Sequence, residues 1–128
     1  MIAKCLFAGF LALIGTAFAV SSSTAADLKT IDGKALEALM SDGKGPVIVD
    51  VREPDEFTAG HIDGAINIPY GDAKSRIVKE LSPKDRIVFV CHSGPMGDKL
   101  GNLLVKNGYP DVYNLAGGMK EWKGAVVK

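Results

Sequence analysis

The sequence is poor in cysteine and histidine, with two of each among its 128 residues. A disulfide framework needs more cysteines than this, and Cys5 lies in an apolar N-terminal segment, apart from Cys91. A structural zinc site takes about four ligands, and beside Cys91 the chain offers only His92. We therefore expect no metal site.

The sequence also lacks an excess of charge of either sign, because 15 Lys and Arg side chains balance 15 Asp and Glu side chains. Proteins that bind nucleic acids or membrane surfaces usually carry a basic excess, so both functions are disfavoured. Internal repeats, low-complexity tracts and interdomain linkers are absent as well. Once the N-terminal segment is set aside, about 100 residues remain, which is enough for one domain but not for two.

That N-terminal segment, residues 1–26, has the pattern of a signal peptide. Lys4 is its only charge, residues 6–20 are almost wholly apolar, and Ala17-Phe18-Ala19 offers a cleavage site, with a second candidate ending at Ala26. The alternative is an uncleaved membrane anchor, but an apolar run of about 15 residues is shorter than the 18 or more expected of a span. We therefore predict an exported, periplasmic protein whose domain comprises residues 27–128 and does not contact the membrane after cleavage.

The rest of the chain alternates short apolar runs with amphipathic segments. This alternation predicts an α/β domain with a parallel five-stranded sheet and helices on both faces. Among the helices, Asp32 and Asp72 are predicted N-caps, Pro54 opens a short helix and Gly60 ends it. The predicted strands are residues 28–31, 47–50, 65–68, 87–90 and 111–114.

The inward faces of these helices follow from their apolar spacing. They are predicted to contain Ala35, Leu36, Leu39 and Met40 in the first helix, and Ala73, Ile77, Val78 and Leu81 in the helix after Asp72. Gly117-Gly118 is predicted to form a tight turn, with Trp122 packed beneath the edge of the sheet.

Cys91 stands at the most informative junction of the chain. It ends the apolar run 87–90, and the apolar spacing after it predicts a helix that begins at Pro95. Ligands bind at the carboxyl ends of strands in such sheets, and the positive end of a helix dipole and loop N–H groups around the sulfur favour a thiolate. A buried, inert cysteine is the alternative, but an unpaired cysteine in an oxidising compartment favours a reactive thiol.

Three stretches of the chain resemble the rhodanese family of sulfurtransferases. The loop Cys91-His92-Ser93-Gly94-Pro95-Met96 is similar to the family's active-site loop. Residues 47–70 (VIVDVREPDEFTAGHIDGAINIPY) and 112–122 (VYNLAGGMKEW) are similar to its other two signatures. Three matches in the same order cover most of the chain after residue 27, and a small exported rhodanese of the periplasmic type is the nearest likeness.

The resemblance implies a single rhodanese-like domain that moves a sulfane sulfur by a persulfide on Cys91. Its donor would be thiosulfate or another small sulfur compound, and its acceptor would be a thiol or cyanide. No metal or cofactor takes part in this chemistry. The predicted site is the catalytic Cys91 with a substrate-binding and persulfide-binding loop made of His92, Ser93, Gly94, Pro95, Met96 and Gly97.

Three other polar residues are possible supports for this site. Asp50 and Arg52 lie at the carboxyl end of their strand, where they could touch a substrate, although an ion pair that fixes the loop is favoured and is also what the resemblance implies. His61 could act as a base, but beside Gly60 a histidine that clamps the loop by hydrogen bonds is favoured.

Two departures from the family pattern leave alternatives open. Met96 stands where the resemblance places an arginine, and Pro95 removes one N–H from the loop. Together with Asp98, these residues disfavour an anionic donor, although Met96 could instead point into the core. A non-catalytic sulfur-carrier or partner-binding module is the main alternative. A cysteine phosphatase or arsenate reductase is disfavoured because Gly97 stands where an arginine would be needed, and a redox sensor because no second cysteine remains after cleavage.

Overall fold

Five strands alternate with five helices in the part of the chain that the structure describes. The computed structural model describes Gly15, residues 26–43 and residues 45–128. The predicted signal peptide and its cleavage sites lie, apart from Gly15 and Ala26, outside the described residues. The elements are β1 (Lys29–Ile31), α1 (Gly33–Ser41), β2 (Val47–Asp50), α2 (Pro54–Ala59), β3 (Ile66–Asn67), α3 (Tyr70–Glu80), β4 (Ile87–Val90), α4 (Pro95–Lys106), β5 (Val112–Leu115) and α5 (Gly118–Glu121).

The five strands form one parallel sheet in the order β1-β5-β4-β2-β3. β4 is its central strand, and all four of its residues are buried, as the unbroken apolar run predicts. The predicted fold class is confirmed. Because the strands are parallel, the residues that follow β1, β2, β4 and β5 meet at one edge of the sheet.

Side chains alternate between the two faces of the sheet, and each face has its own core. One core joins Phe89 and Cys91 to Ile77 of α3 and to Leu100 and Leu104 of α4. The other core joins Ile48 and Val88 of the sheet to Leu36 of α1 and to Met119 and Trp122 near the C-terminus. Cys91 therefore belongs to the layer that contains α3 and α4.

The helix signals place most helix ends correctly. Asp32 caps α1, accepting a hydrogen bond from the Ala35 N–H at 2.8 Å. Pro54 begins α2 and Gly60 follows its last residue. α4 begins at Pro95, and Asn107 is its C-cap. Each helix in the described part of the chain is too short or too polar to span a bilayer.

Some predicted details are wrong. α3 begins at Tyr70, so Asp72 lies in its first turn instead of capping it. Val78 is 42% exposed and Ala35 is exposed, because neither residue faces the sheet in the final packing. β5 is shifted by one residue towards the C-terminus, which places Asn114 inside the strand and Asp111 before it.

Asp111 ties the start of β5 to two neighbouring strands. Its carboxylate accepts hydrogen bonds from Lys29 Nζ at 3.2 Å and from Arg86 Nε at 2.9 Å. Burial by itself would raise the pKa of Asp111, but the hydrogen bonds from Arg86 and Lys29 outweigh it and hold the pKa below its ordinary value. This end of the sheet, opposite the Cys91 edge, is therefore closed by charge pairs.

Candidate active site

Cys91 lies directly after β4, between the ends of β2 and β5, and only 2% of its surface is exposed. Its Sγ accepts a hydrogen bond from the Gly94 N–H at 2.9 Å. Gly94 is the N-cap of α4 and has φ +127°, a value that glycine reaches without strain. The sulfur therefore sits at the N-terminus of α4, where the helix dipole and an aimed N–H favour a negatively charged sulfur.

The loop sequence predicts several N–H groups around the sulfur, but the structure shows fewer. Among the described residues, Gly94 supplies the one hydrogen bond that reaches Sγ. Pro95 has no N–H to offer, and both His92 and Ser93 are exposed. The groups that stabilise the sulfur in this chain are thus the Gly94 N–H and the N-terminus of α4.

α5 also contacts the loop of residues 91–94 that joins β4 to α4, which we call the cysteine loop. The Met119 N–H donates to the Cys91 carbonyl at 2.8 Å, and the Lys120 N–H donates to the His92 carbonyl at 2.9 Å. The approach is close, since a Cβ on Gly118 would lie 2.2 Å from the Cys91 carbonyl oxygen. Gly117-Gly118 forms the predicted turn and has a second role, because the lack of a Cβ lets α5 approach and bind the backbone of the loop.

Asn114 is a residue of this site that the sequence analysis missed. It pairs in the sheet with Phe89 and is buried. Its Nδ2 donates to the Gly94 carbonyl at 2.9 Å and to Asp98 Oδ1 at 2.8 Å. Its Oδ1 is buried and has no hydrogen-bond partner among the described residues. Asn114 thereby holds the carbonyl of the residue whose N–H donates to the sulfur. The available signal was a lone amide within an otherwise apolar strand.

We expect Asn114→Ala to lower the rate of Cys91 alkylation about tenfold and the free energy of unfolding by about 1–3 kcal/mol. The Gly94 carbonyl accepts two hydrogen bonds, one from Asn114 Nδ2 and one from the Asp98 N–H at 3.2 Å. Loss of the amide removes the first of them, so Gly94 is held less firmly with its N–H on the sulfur. Asn67→Ala is the matched control, because Asn67 Nδ2 donates in the same way to the carbonyls of Asp50 and Arg52.

The two variants are compared by thermal unfolding and by the rate of Cys91 alkylation at a temperature where both are folded. Equal alkylation rates in Asn114→Ala and Asn67→Ala would show that Asn114 has only a structural role.

Asp50 and Arg52 form the predicted ion pair. Arg52 Nη2 lies 2.8 Å from Asp50 Oδ2, Arg52 Nε donates to both carboxylate oxygens, and Nη2 also donates to the Gly60 carbonyl at 2.8 Å. The pair is almost fully buried, so it joins the end of β2 to the end of α2. Arg52 lies at the same edge of the sheet as Cys91, but its Nε and Nη2 already donate hydrogen bonds within the protein.

His61 is the predicted loop clamp. Its Nδ1 lies 2.8 Å from the Phe57 carbonyl, and its ring stacks on Phe57 with 3.7 Å between the ring centroids. Its backbone exchanges two hydrogen bonds with Val127, at 2.9 and 2.8 Å. These contacts fasten the C-terminal segment to the end of α2, and none of them involves the cysteine loop.

Met96 lies at the surface, with 44% of its area exposed, so the alternative in which it points into the core is wrong. Asp98 is exposed in the first turn of α4, and its Oδ1 accepts a hydrogen bond from Asn114 Nδ2. On the other side of the loop, a cavity of about 330 Å³ is lined by His92, Arg52 and Lys120 among others. Among the described residues, no three His, Cys, Asp or Glu side chains are grouped so that they could hold a metal ion.

Comparisons with known proteins find relatives of this domain in sequence and in structure. A family model described as a rhodanese-like domain matches residues 32–125. The thiosulfate sulfurtransferase GlpE of Shewanella oneidensis is 33% identical over 86 residues, which cover 67% of this chain and 84% of GlpE. The structure of the human single-domain sulfurtransferase TSTD1 aligns with a TM-score of 0.66 and 28% identity, covering 77% of this chain and 100% of that chain.

Other relatives are longer than the matched region. YrkF of Bacillus subtilis, whose name gives it a proposed sulfur-carrier function, is 33% identical over 104 residues, which cover 81% of this chain and 56% of YrkF. The match to YqhL of the same organism covers 62% of this chain and 62% of YqhL. The chain therefore spans less than two thirds of the length of these two relatives.

Proposed function

Because this chain belongs to the rhodanese-like family, we propose that it is a sulfurtransferase that carries a sulfane sulfur as a persulfide on Cys91. The observation that carries the proposal is the Gly94 N–H at 2.9 Å from Cys91 Sγ, at the N-terminus of α4. This arrangement stabilises an anion on sulfur, whether it is the thiolate or the outer sulfur of a persulfide.

The proposed reaction has two displacement steps on sulfur. The Cys91 thiolate attacks the outer sulfur of the donor, a new S–S bond forms, and the donor's own bond to that sulfur breaks. With thiosulfate, sulfite leaves with the bonding electron pair, and Cys91 becomes a persulfide anion. An acceptor thiolate or cyanide then attacks the outer sulfur, and Cys91 leaves as the thiolate. Neither step needs a metal, a cofactor or an external oxidant.

This mechanism predicts ping-pong kinetics, since the donor product leaves before the acceptor reacts. Initial rates of thiocyanate formation are measured while thiosulfate and cyanide are varied together. We expect parallel lines in double-reciprocal plots. Lines that intersect would require both substrates to be bound at once, and they would contradict a covalent intermediate on Cys91.

The surroundings of the loop favour a donor with less charge than thiosulfate. Met96 offers neither a charge nor an N–H donor, and the carboxylate of Asp98 lies on the first turn of the same helix. Arg52 is engaged with Asp50 and Gly60, so it does not replace the missing guanidinium. We therefore propose a persulfide or another weakly charged sulfur compound as the preferred donor, with thiosulfate as a weak one.

We expect Met96→Arg to raise kcat/KM for thiosulfate about tenfold, through one charge-assisted hydrogen bond to the dianion. Because Met96 is exposed, the new guanidinium stays in water and the variant keeps its thermal stability. Asn102→Arg, at an exposed position further along α4, adds the same charge away from the loop and is the control. The gain should shrink as salt is added. A stable Met96→Arg protein with unchanged thiosulfate kinetics would show that the absent arginine does not limit this site.

A sulfur carrier that exchanges sulfur with a protein partner is the second candidate function. The exposure of Met96 beside the cysteine loop and the similarity to YrkF favour it. A carrier would accept one sulfur per chain and release it only to its partner, whereas an enzyme turns over with small acceptors. Export to the periplasm is part of the same proposal, and it rests on the pattern of residues 1–26.

A further inference from the structure

The groove between α3 and α4 is lined by lysines. We call it the lysine groove; its volume is about 440 Å³, and its lining consists of Lys74, Lys99, Leu100, Asn102, Leu103 and Lys106. Lys74 belongs to α3, and the others belong to α4. The leucines make the groove partly apolar, and no acidic side chain contributes to its lining. The surface is thus basic at its rim and apolar between the charges.

The three lysines of the groove are unpaired cations. None of them takes part in an ion pair among the described residues, whereas Lys29, Arg76 and Arg86 all do. The chain as a whole is neutral, so this basic surface is a local feature and does not follow from the overall charge. A groove with one sign of charge and an apolar wall attracts ligands of the opposite sign.

One face of α4 leads from the lysine groove toward the cysteine loop. Met96, Lys99, Leu103 and Lys106 follow one another three or four residues apart, which places them on one face of α4. This stripe begins one residue into α4, whose N-cap Gly94 donates to the Cys91 sulfur, and it extends for about 15 Å along the helix. Val78, one turn after Lys74 on α3, adds exposed apolar surface. A ligand bound in the groove would therefore have one end beside the loop.

We propose that the lysine groove docks an acidic, amphipathic segment of a protein whose thiol accepts sulfur from Cys91. A small anion would use one or two of the lysines and none of the exposed Met96 and Val78 surface. A segment with carboxylates on either side of a few apolar residues matches both the charges and the apolar parts over this length. The inference rests on the proposed sulfurtransferase function, and it gives Met96 a use as apolar contact surface for the partner.

The first test measures docking without catalysis. The probe is a fluorescein-labelled helical peptide of about four turns, with glutamates flanking two leucines and a cysteine at one end. Its binding is measured by anisotropy to the protein, to the triple variant Lys74→Glu, Lys99→Glu, Lys106→Glu, and to the control Lys34→Glu, Lys84→Glu, Lys123→Glu. The control changes the total charge equally at exposed lysines outside the groove.

We expect the groove variant to lower affinity for the peptide at least tenfold, the control to lower it less than threefold, and added salt to weaken the binding. A peptide in which lysines replace the glutamates should not bind. Equal losses in the two triple variants would overturn the proposal. It would also be overturned if a 20-nucleotide RNA or vesicles containing anionic lipid bound with the same dependence on the groove lysines while the acidic peptide did not.

The second test uses sulfur transfer, so that the docking proposal and the proposed function can fail separately. From persulfidated Cys91, transfer to the peptide thiol should be about tenfold slower in the groove variant than in the control, and transfer to free cysteine should be the same in both. If free cysteine and peptide are slowed alike, docking is overturned. If Cys91 takes up no sulfur but the peptide binds through the groove lysines, the sulfurtransferase proposal fails and the docking surface stands.

Discussion

Replacing Cys91 with serine should eliminate sulfur loading and reduce turnover at least about a thousandfold. A serine hydroxyl is not ionised near neutral pH and is a poor nucleophile toward sulfur, and no other cysteine is present among the described residues. The change is small in volume, and the Gly94 N–H can donate to the serine oxygen in place of Sγ. We therefore expect the free energy of unfolding to fall by only about 1 kcal/mol.

Ala73→Ser is the matched control for this loss. Ala73 is as fully buried as Cys91 and belongs to the same core, so its variant also places a hydroxyl among apolar side chains. It lies on α3, and no hydrogen bond among the described residues joins it to the cysteine loop. The control should keep its turnover despite a similar loss of stability. Appreciable sulfur transfer by Cys91→Ser would refute the assignment of the covalent step to Cys91.

Gly118→Ala should cause the second largest loss of turnover, because the added Cβ collides with the backbone of the cysteine loop. A Cβ at this position would lie 2.2 Å from the Cys91 carbonyl oxygen and 2.7 Å from the His92 carbonyl oxygen, so the loop backbone has to move. The residue also has φ +56°, which disfavours alanine. We expect turnover to fall at least about tenfold, since the loop loses the hydrogen bonds of Met119 and Lys120.

Gly108→Ala is the control that separates the effect of the positive φ from the effect of contact between the added Cβ and the cysteine loop. Gly108 has φ +85° but no atom within 4 Å of an added Cβ, so this variant carries the conformational cost alone. We expect it to lose about 1–2 kcal/mol of stability and to keep its turnover. Gly118→Ala should lose about 1–3 kcal/mol more, the usual cost of overpacking. Equal activity in the two variants would show that contact between α5 and the loop is not needed for catalysis.

The strands and helices that follow strong local signals could be predicted from the sequence. The apolar run of β4, the proline at the start of α4 and the Asp32 cap each act over a few residues, so their positions are correct. Val78 has the helical spacing of a core residue but is exposed, because α3 turns a narrower face to the sheet than the spacing suggests. α5 was missed because four residues carry no periodicity, and it is held by contacts with the loop at Cys91 and His92.

In the candidate site, too, the residues with local sequence signals could be predicted and those that depend on distant contacts could not. The position of Cys91, the Asp50–Arg52 pair and the clamp at His61 could be predicted because their partners lie within a few residues or within a recognisable motif. Asn114 could not be placed, since it acts on Gly94 from a strand 20 residues later in the chain. The exposure of Met96 likewise depends on how α4 is rotated against the sheet, and the sequence allowed either orientation.

The intact mass of the protein before and after sulfur loading tests the central proposal most directly. The protein is incubated with thiosulfate or with a small persulfide, separated from the donor and weighed, then treated with cyanide and weighed again. We predict that the mass rises by one sulfur atom, that cyanide removes the increase, and that Cys91→Ser shows no increase. A mass that does not change with either donor, or an added sulfur that persists in Cys91→Ser, would contradict a persulfide on Cys91.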